Sequence, residues 1–256
     1  MQGNIGNYEK RQSESGVEPT VRNVLGIYRD LIEEAATVFS EDAVEKNIEP
    51  WFVWPETSFP GFPLRDPPMQ RQLDYWLQLS RGLHLLGAYE DGTMFFNGKE
   101  KPTEYNIALM IHESQGYVGH YRKMELMPYG EYFPGDALLP SIYDWIPQIN
   151  HFGRGEEFKF LVHPDPEGPI FLPVICYEVL FDRIVNSFLK VAKEKYPGRE
   201  VVIYNPTNDS WFGKTVEPFM HARLAQWQAA RISVSLLRAT NTGVSMIVAP
   251  WGEVLK

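Results

Sequence analysis

The sequence predicts an α/β fold in which helices cover mixed β-sheet, and three observations carry that expectation. Short runs of β-branched and aromatic residues alternate with longer stretches whose apolar residues recur every three or four positions. Two adjoining strand-like runs, 105–114 and 117–123, are separated by Gln115-Gly116 alone, the mark of a hairpin. The composition, 44% hydrophobic and 22% charged over 256 residues, is that of a folded domain and excludes a disordered or fibrous chain.

The elements follow in order. The opening Gln2-Gly3-Asn4-Ile5 reads as a first strand. Val21, Val24, Leu25, Tyr28, Ile32, Ala35, Ala36 and Phe39 step at helical period and predict a helix over 21–39. A buried strand is expected at 51–54, closed by Pro55, then a helix over 69–81 and a strand over 84–90. After the hairpin strands, 170–178 reads as a strand carrying Cys176, 179–195 as a helix, 201–206 as a strand and 217–232 as a helix. Strands at 233–240 and 244–250 close the run. No repeat or linker-like tract divides the chain, so one domain over 1–256 is expected.

Charge and cysteine usage narrow the function. Twenty-four Lys and Arg against 33 Asp and Glu give a net charge of −9, which argues against a nucleic-acid partner. Cys176 is the one cysteine, so no intrachain disulfide forms. The start of the chain carries no signal-peptide pattern, and the longest apolar stretch, 170–181, is too short to span a bilayer. Two loops, 54–68 and 127–152, are rich in proline and aromatic residues, a composition of functional loops. The second holds Leu138, Leu139, Ile142, Tyr143, Trp145 and Ile146, which form either a greasy rim or a segment folded back on the core.

Glu56, Lys123 and Cys176 each fall at or near a strand end, where ligands collect in α/β sheets. Taken singly, each has an ordinary reading: a loop carboxylate, a solvated cation, a small buried thiol. The words around them say more. WPE, YRKMELMPYGEY, PVICYEVLF and NPTNDSWFG occur in the order and spacing of the nitrilase, or carbon-nitrogen hydrolase, superfamily. More narrowly, QGNI, GEYFP, ICYE, NDSWFGK and RATNTGVSMIVAPWGEV resemble the catalytic domain of the apolipoprotein N-acyltransferases.

That resemblance implies a nitrilase-like four-layer α-β-β-α sandwich of mixed sheets covered by helices. It implies Cys176 as nucleophile, Glu56 as general base and Lys123 as the cation that meets the developing oxyanion, without metal or cofactor. The chemistry agrees, because a thiol with a pKa of ~8.5 is mostly protonated at neutral pH and needs a base. Glu131 matches a supporting carboxylate, and the N–H of Tyr177 is expected as a second oxyanion donor. Strand alternation would put Glu178 on the thiol's face. Asn208, Asp209 and Trp211 are expected to shape the opposite loop without taking part in the chemistry.

The implied reaction moves a fatty acyl chain from a phospholipid, through a cysteine thioester, to the amine of a diacylglyceryl-cysteine lipoprotein. The implied place is a membrane surface, the periplasmic side of the bacterial inner membrane. Family members carry a tryptophan soon after QGNI, absent here, and membrane-spanning helices on both sides of the domain. The alternative is a soluble amidase or nitrilase using the same Glu-Lys-Cys triad on a small C–N substrate. A binding module without catalysis is disfavoured because all three triad residues are present.

Overall fold

The computed structural model describes residues 1–46, 48–139, 141–146 and 151–256. Two sheets lie face to face. After helices α1 (Asn7–Glu14) and α2 (Glu18–Lys46) comes β1 (Trp51–Val53), followed by α3 (Pro67–Ser80), β2 (Leu83–Phe96), β3 (Lys99–His112) and β4 (Gly116–Arg122). These strands form a sheet in the order β1-β2-β3-β4, with β1 parallel to β2 and the rest antiparallel. The short α4 (Ile142–Trp145) precedes β5 (Leu161–Val162) and β6 (Ile170–Pro173). Helix α5 (Asp182–Lys195), β7 (Val201–Thr207), α6 (Glu217–Ile232), β8 (Ser235–Thr240) and β9 (Met246–Val248) complete a sheet ordered β5-β6-β7-β8-β9. Its central pairs β6-β7 and β7-β8 are parallel and its outer pairs antiparallel.

Side-chain alternation places the layers. On β2 and β3, Leu83, Leu85, Ala108 and Met110 point into the core shared with the second sheet. Their neighbours Leu86, Ala88, Ile107 and Leu109 face the other way, under Val24, Tyr28 and Ile32 of α2 and Leu73, Trp76 and Leu77 of α3. Ile184, Val185 and Phe188 of α5 and Ala222, Ala225 and Ala229 of α6 cover the second sheet. The result is the expected α-β-β-α sandwich of two mixed sheets. The two sheets are tied by Tyr204, whose hydroxyl lies 2.8 Å from the Trp54 carbonyl and 2.9 Å from that of Leu85.

Several elements differ from expectation. Residues 1–6 form no strand, and α1 follows them where none is predicted. The strand expected over 84–90 runs to Phe96 and turns back at Asn97 and Gly98, both at positive φ (50° and 74°), a two-residue hairpin. The strand expected over 170–178 stops at Pro173, and Cys176–Leu180 is a 3-10 turn. The helix after it begins at Asp182, not at 179. In the proline-rich loop Leu138 is 91% and Trp145 70% exposed, whereas Ile142 is buried, so the loop is part rim and part core. Pro140 and residues 147–150 of that loop lie outside the described residues.

Candidate active site

Glu56 follows β1 across Trp54-Pro55, and β2 passes so close that a Cβ on Gly87 would stand 2.5 Å from Pro55 O and from Thr57 N. The glycine lets the two backbones touch and fixes where the carboxylate leaves the sheet. Glu56 is buried, and each of its oxygens is spoken for. Oε1 accepts from Lys123 Nζ at 3.2 Å and Asn106 Nδ2 at 2.7 Å, and Oε2 accepts from the Asn208 backbone N–H at 3.0 Å.

Lys123 comes just past β4. Its own N–H donates to the Asn106 carbonyl (2.9 Å), and its carbonyl accepts from Gly155 N (2.8 Å), so the backbone is pinned on both sides. Nζ is buried and bridges Glu56 to Glu131, the latter at 2.9 Å. Glu131 in turn accepts from Asn106 Nδ2 at 3.2 Å and Met127 N at 2.7 Å. Burial by itself would lower the Lys123 pKa, but Glu131 and Glu56 outweigh it and hold the ammonium well above the ordinary lysine range.

Cys176 opens the 3-10 turn after β6 with φ at +56°, a left-handed backbone that a side-chain-bearing residue adopts at a cost of about 1–2 kcal/mol. What holds it is Asn205 on β7, whose amide donates to the carbonyls of Val174 (2.6 Å) and Cys176 (2.9 Å). Asn205 is itself held by Arg238 of β8, which pairs with Asp209 at 2.9 Å. The thiol is 7% exposed. Burial and then the charge of Glu56 push its pKa well above the usual thiol range, with Lys123 pulling the other way. Buried Glu56, Lys123 and Cys176 and half-buried Glu131 thus occupy one cluster, although they come from three separate stretches of chain on two sheets.

Of the two residues after the cysteine, Glu178 stands differently from expectation. Glu178 does not share a strand face with the thiol, because the backbone there is a 3-10 turn. Its carboxylate folds back to accept from Ile175 N (2.7 Å), Met124 N (2.8 Å), Glu125 N (2.9 Å) and Tyr121 Oη (2.9 Å). Burial pushes it up to about 7, against those donors and Lys123. Its role is to lock the Cys176 turn to the segment after Lys123. Tyr177 donates its hydroxyl to the Leu126 carbonyl and presents its ring 5.6 Å from Lys123 Nζ.

Asn208 stands within the site, since its N–H is a ligand of Glu56, and Asp209 sits among the thiol's charged neighbours. Sequence reasoning passes over Asn106 entirely. Its signal was a polar residue inside the apolar strand run Tyr105-Asn106-Ile107-Ala108, since a buried amide must find partners.

A second polar cluster lies apart from this one. Glu49 bridges His112 at the end of β3 and His163 just after β5, with His163 Nε2 2.6 Å from Oε2. The Nδ1 atoms accept from the Ser114 and Asp165 backbone N–H groups, both at 3.1 Å, which leaves the proton of each neutral ring on Nε2. Both rings therefore donate to Glu49. The trio satisfies its own hydrogen bonds as a clamp, and a metal at Nε2 would demand the opposite tautomers.

Comparison with known proteins adds the following. The sequence pattern of the carbon-nitrogen hydrolases matches residues 34–256. An apolipoprotein N-acyltransferase of Bdellovibrio bacteriovorus is 34% identical over 263 residues, covering 100% of this chain and 45% of that protein. One from Photobacterium profundum is 30% identical over 80% of this chain and 38% of its own length, and one from Agrobacterium fabrum 29% identical over 79% and 36%. The chain spans less than half the length of these relatives. Among solved structures, a mutant amidase from Nesterenkonia sp. AN1, captured after Michael addition of acrylamide at its active site cysteine, superposes with a TM-score of 0.56. Its identity is 16%, over 92% of this chain and 82% of that one, a likeness of fold.

Proposed function

The chain belongs to the carbon-nitrogen hydrolase family, and from that premise we propose that it is the acyl-transferring domain of an apolipoprotein N-acyltransferase. The observation that carries the proposal is the 34% identity, along the whole chain, to an apolipoprotein N-acyltransferase, together with a buried thiol beside a carboxylate and a doubly paired ammonium. Such a thiol is inert until a base removes its proton. Glu56 is that base, and Lys123 is the charge that receives the oxyanion.

In the first half-reaction Cys176 Sγ attacks the ester carbonyl of a phospholipid as its proton passes to Glu56. The C–S bond forms, the carbonyl π electrons move to oxygen beside Lys123, and collapse breaks the ester C–O bond. Glu56 returns the proton to the leaving alkoxide, which departs as the lysophospholipid hydroxyl. In the second, the amine of a diacylglyceryl-cysteine attacks the thioester. The C–N bond forms, the C–S bond breaks, and the surplus amine proton returns through Glu56 to the thiolate. Glu131 and Asn106 hold Lys123 and Glu56 at their separation.

We place this work at a membrane surface, on the periplasmic side of the bacterial inner membrane. The exposed Leu138 and Trp145 support contact with lipid. No helix among the described residues is long and apolar enough to cross a membrane.

The test is incubation with phospholipid vesicles followed by mass spectrometry. A long-chain acyl adduct on Cys176 is expected, absent in Cys176→Ala. Glu56→Gln and Lys123→Ala should each slow adduct formation by roughly 10²- to 10⁴-fold. Turnover of a short amide with no acyl adduct would replace this reading with a hydrolytic one.

A further inference from the structure

Helix α1 delivers a second buried ammonium to this site. Lys10 is 1% exposed, and its Nζ donates to the carbonyl of Thr57, the residue that follows Glu56. Glu14, one turn on, lies 3.7 Å from Nζ and accepts from the Thr57 hydroxyl at 2.8 Å. Thr57 needs this grip. It is a β-branched residue at φ +45°, a conformation that does not persist without external restraint. From the opposite side Gly87 presses on the same segment, and its carbonyl accepts from Ser58 Oγ at 3.2 Å and Phe59 N at 3.0 Å.

The segment before α1 is tied to the site as well. Ile5 N donates to Asn241 Oδ1 at 3.0 Å, and Asn241 Nδ2 donates back to the Ile5 carbonyl at 2.8 Å and to Asn208 Oδ1 at 3.3 Å. Asn208 is the residue whose N–H holds Glu56 Oε2. The first ten residues therefore reach Glu56 by two routes, through Asn241 and Asn208 on one side and through Lys10 and Thr57 on the other.

Burying an ammonium costs several kcal/mol unless it is well paired, and an apolar side chain would fill the same space more cheaply. Burial lowers the Lys10 pKa, the charges of Glu14 and then Glu56 oppose that shift, and Glu14 is the one carboxylate within ion-pair range among the described residues. We propose that Lys10 is a positioning residue for the base: through the Thr57 carbonyl and Glu14 it fixes the Glu56 backbone, and it adds a second cation to the one Lys123 supplies to that carboxylate. The proposal rests on the reading of Glu56 as the base that activates Cys176.

The test uses the rate at which iodoacetamide alkylates Cys176, which reports thiol activation whatever the substrate. Lys10→Met is compared with Glu56→Gln and with the double variant, and thermal melting checks the fold of each. Lys10→Met should slow alkylation roughly 10- to 100-fold and add little in the Glu56→Gln background, because one residue acts through the other. If the Lys10→Met protein does not fold, Glu14→Gln keeps an acceptor for Thr57 while removing the counter-charge. It should slow alkylation in the same direction by a smaller factor. An unchanged rate in the folded variant, or losses that multiply independently, would overturn the role of Lys10 while leaving Glu56 in place. No effect of Glu56→Gln would instead overturn the base assignment, and the role of Lys10 with it.

Discussion

A single amide illustrates how the site is held. Asn106 Nδ2 donates to both Glu56 and Glu131, so one group sets the spacing of two carboxylates that would otherwise repel each other across Lys123. Asn106→Ala removes that donor and leaves buried carboxylate oxygens short of a partner. The expected cost is about 1–3 kcal/mol, read as a lower denaturation midpoint, with slower Cys176 alkylation. At this scale the sequence was legible where residue type and chemistry coincide. A lone cysteine, a lysine after a strand and a glutamate after Trp-Pro stand in recognisable words. Asn106, Lys10 and the Asn208 N–H were not legible, because their roles come from where the chain puts them; a backbone N–H carries no residue signature at all.

At the scale of elements, the Glu56 segment depends on the strand beneath it. Gly87→Ala would drive a methyl group into Pro55 O and Thr57 N at 2.5 Å, so the segment must lift or the strand must bow. We expect loss of thiol activation and destabilisation by about 3 kcal/mol or more, measured by chemical denaturation. The junction of α3 and β2 offers a titration test. His84 is buried between the Trp54 indole N–H, 3.1 Å from Nδ1, and Ser80 Oγ, 2.6 Å from Nε2, and burial lowers its pKa from 6.5 to about 3.

Between those values the unfolded chain binds more protons than the folded one, so stability falls as pH drops from 6.5 towards 3. The slope approaches about 1.4 kcal/mol per pH unit. His84→Gln, which keeps an acceptor for the indole, should flatten that slope in urea titrations.

Elements were most readable where apolar residues line one helix face or fill a strand buried on both faces. Helix α2 and strands β3 and β7 show it, while the outer half of β2 does not, because residues 91–96 pair with β3 with no strictly apolar face to mark them. The turn at Cys176 was misread as strand because its sequence is apolar and β-branched up to the cysteine. Asn205 and Glu178, distant or downstream, decide its backbone.

The whole molecule is two sheets joined by a shared apolar core and a few polar ties. The Glu49 clamp binds the end of β3 to the end of β5 through two histidines. Glu49→Ala would strand two ring N–H donors at that junction. It should lower stability by about 1–3 kcal/mol, while the rate of Cys176 alkylation stays near that of the parent because Glu49 makes no contact with Glu56, Lys123 or Cys176. The layered fold class was predictable from the alternation of strand and helix patterns. Pairing between the sheets was not, since no local pattern encodes which distant carbonyls Tyr204 will meet.

Within each sheet every strand neighbours the one before it in the chain, β1 to β4 and then β5 to β9. Each half can therefore assemble by zipping along contiguous sequence, with short loop closures first. Glu56 and Lys123 belong to the earlier half and Cys176 to the later one, so neither half alone holds a reactive thiol. In refolding, secondary structure should appear before rapid thiol alkylation returns, and the lag between the two signals would time the docking of the halves. A chain arranged this way carries no thiol beside Glu56 and Lys123 until its synthesis is complete and both halves have docked.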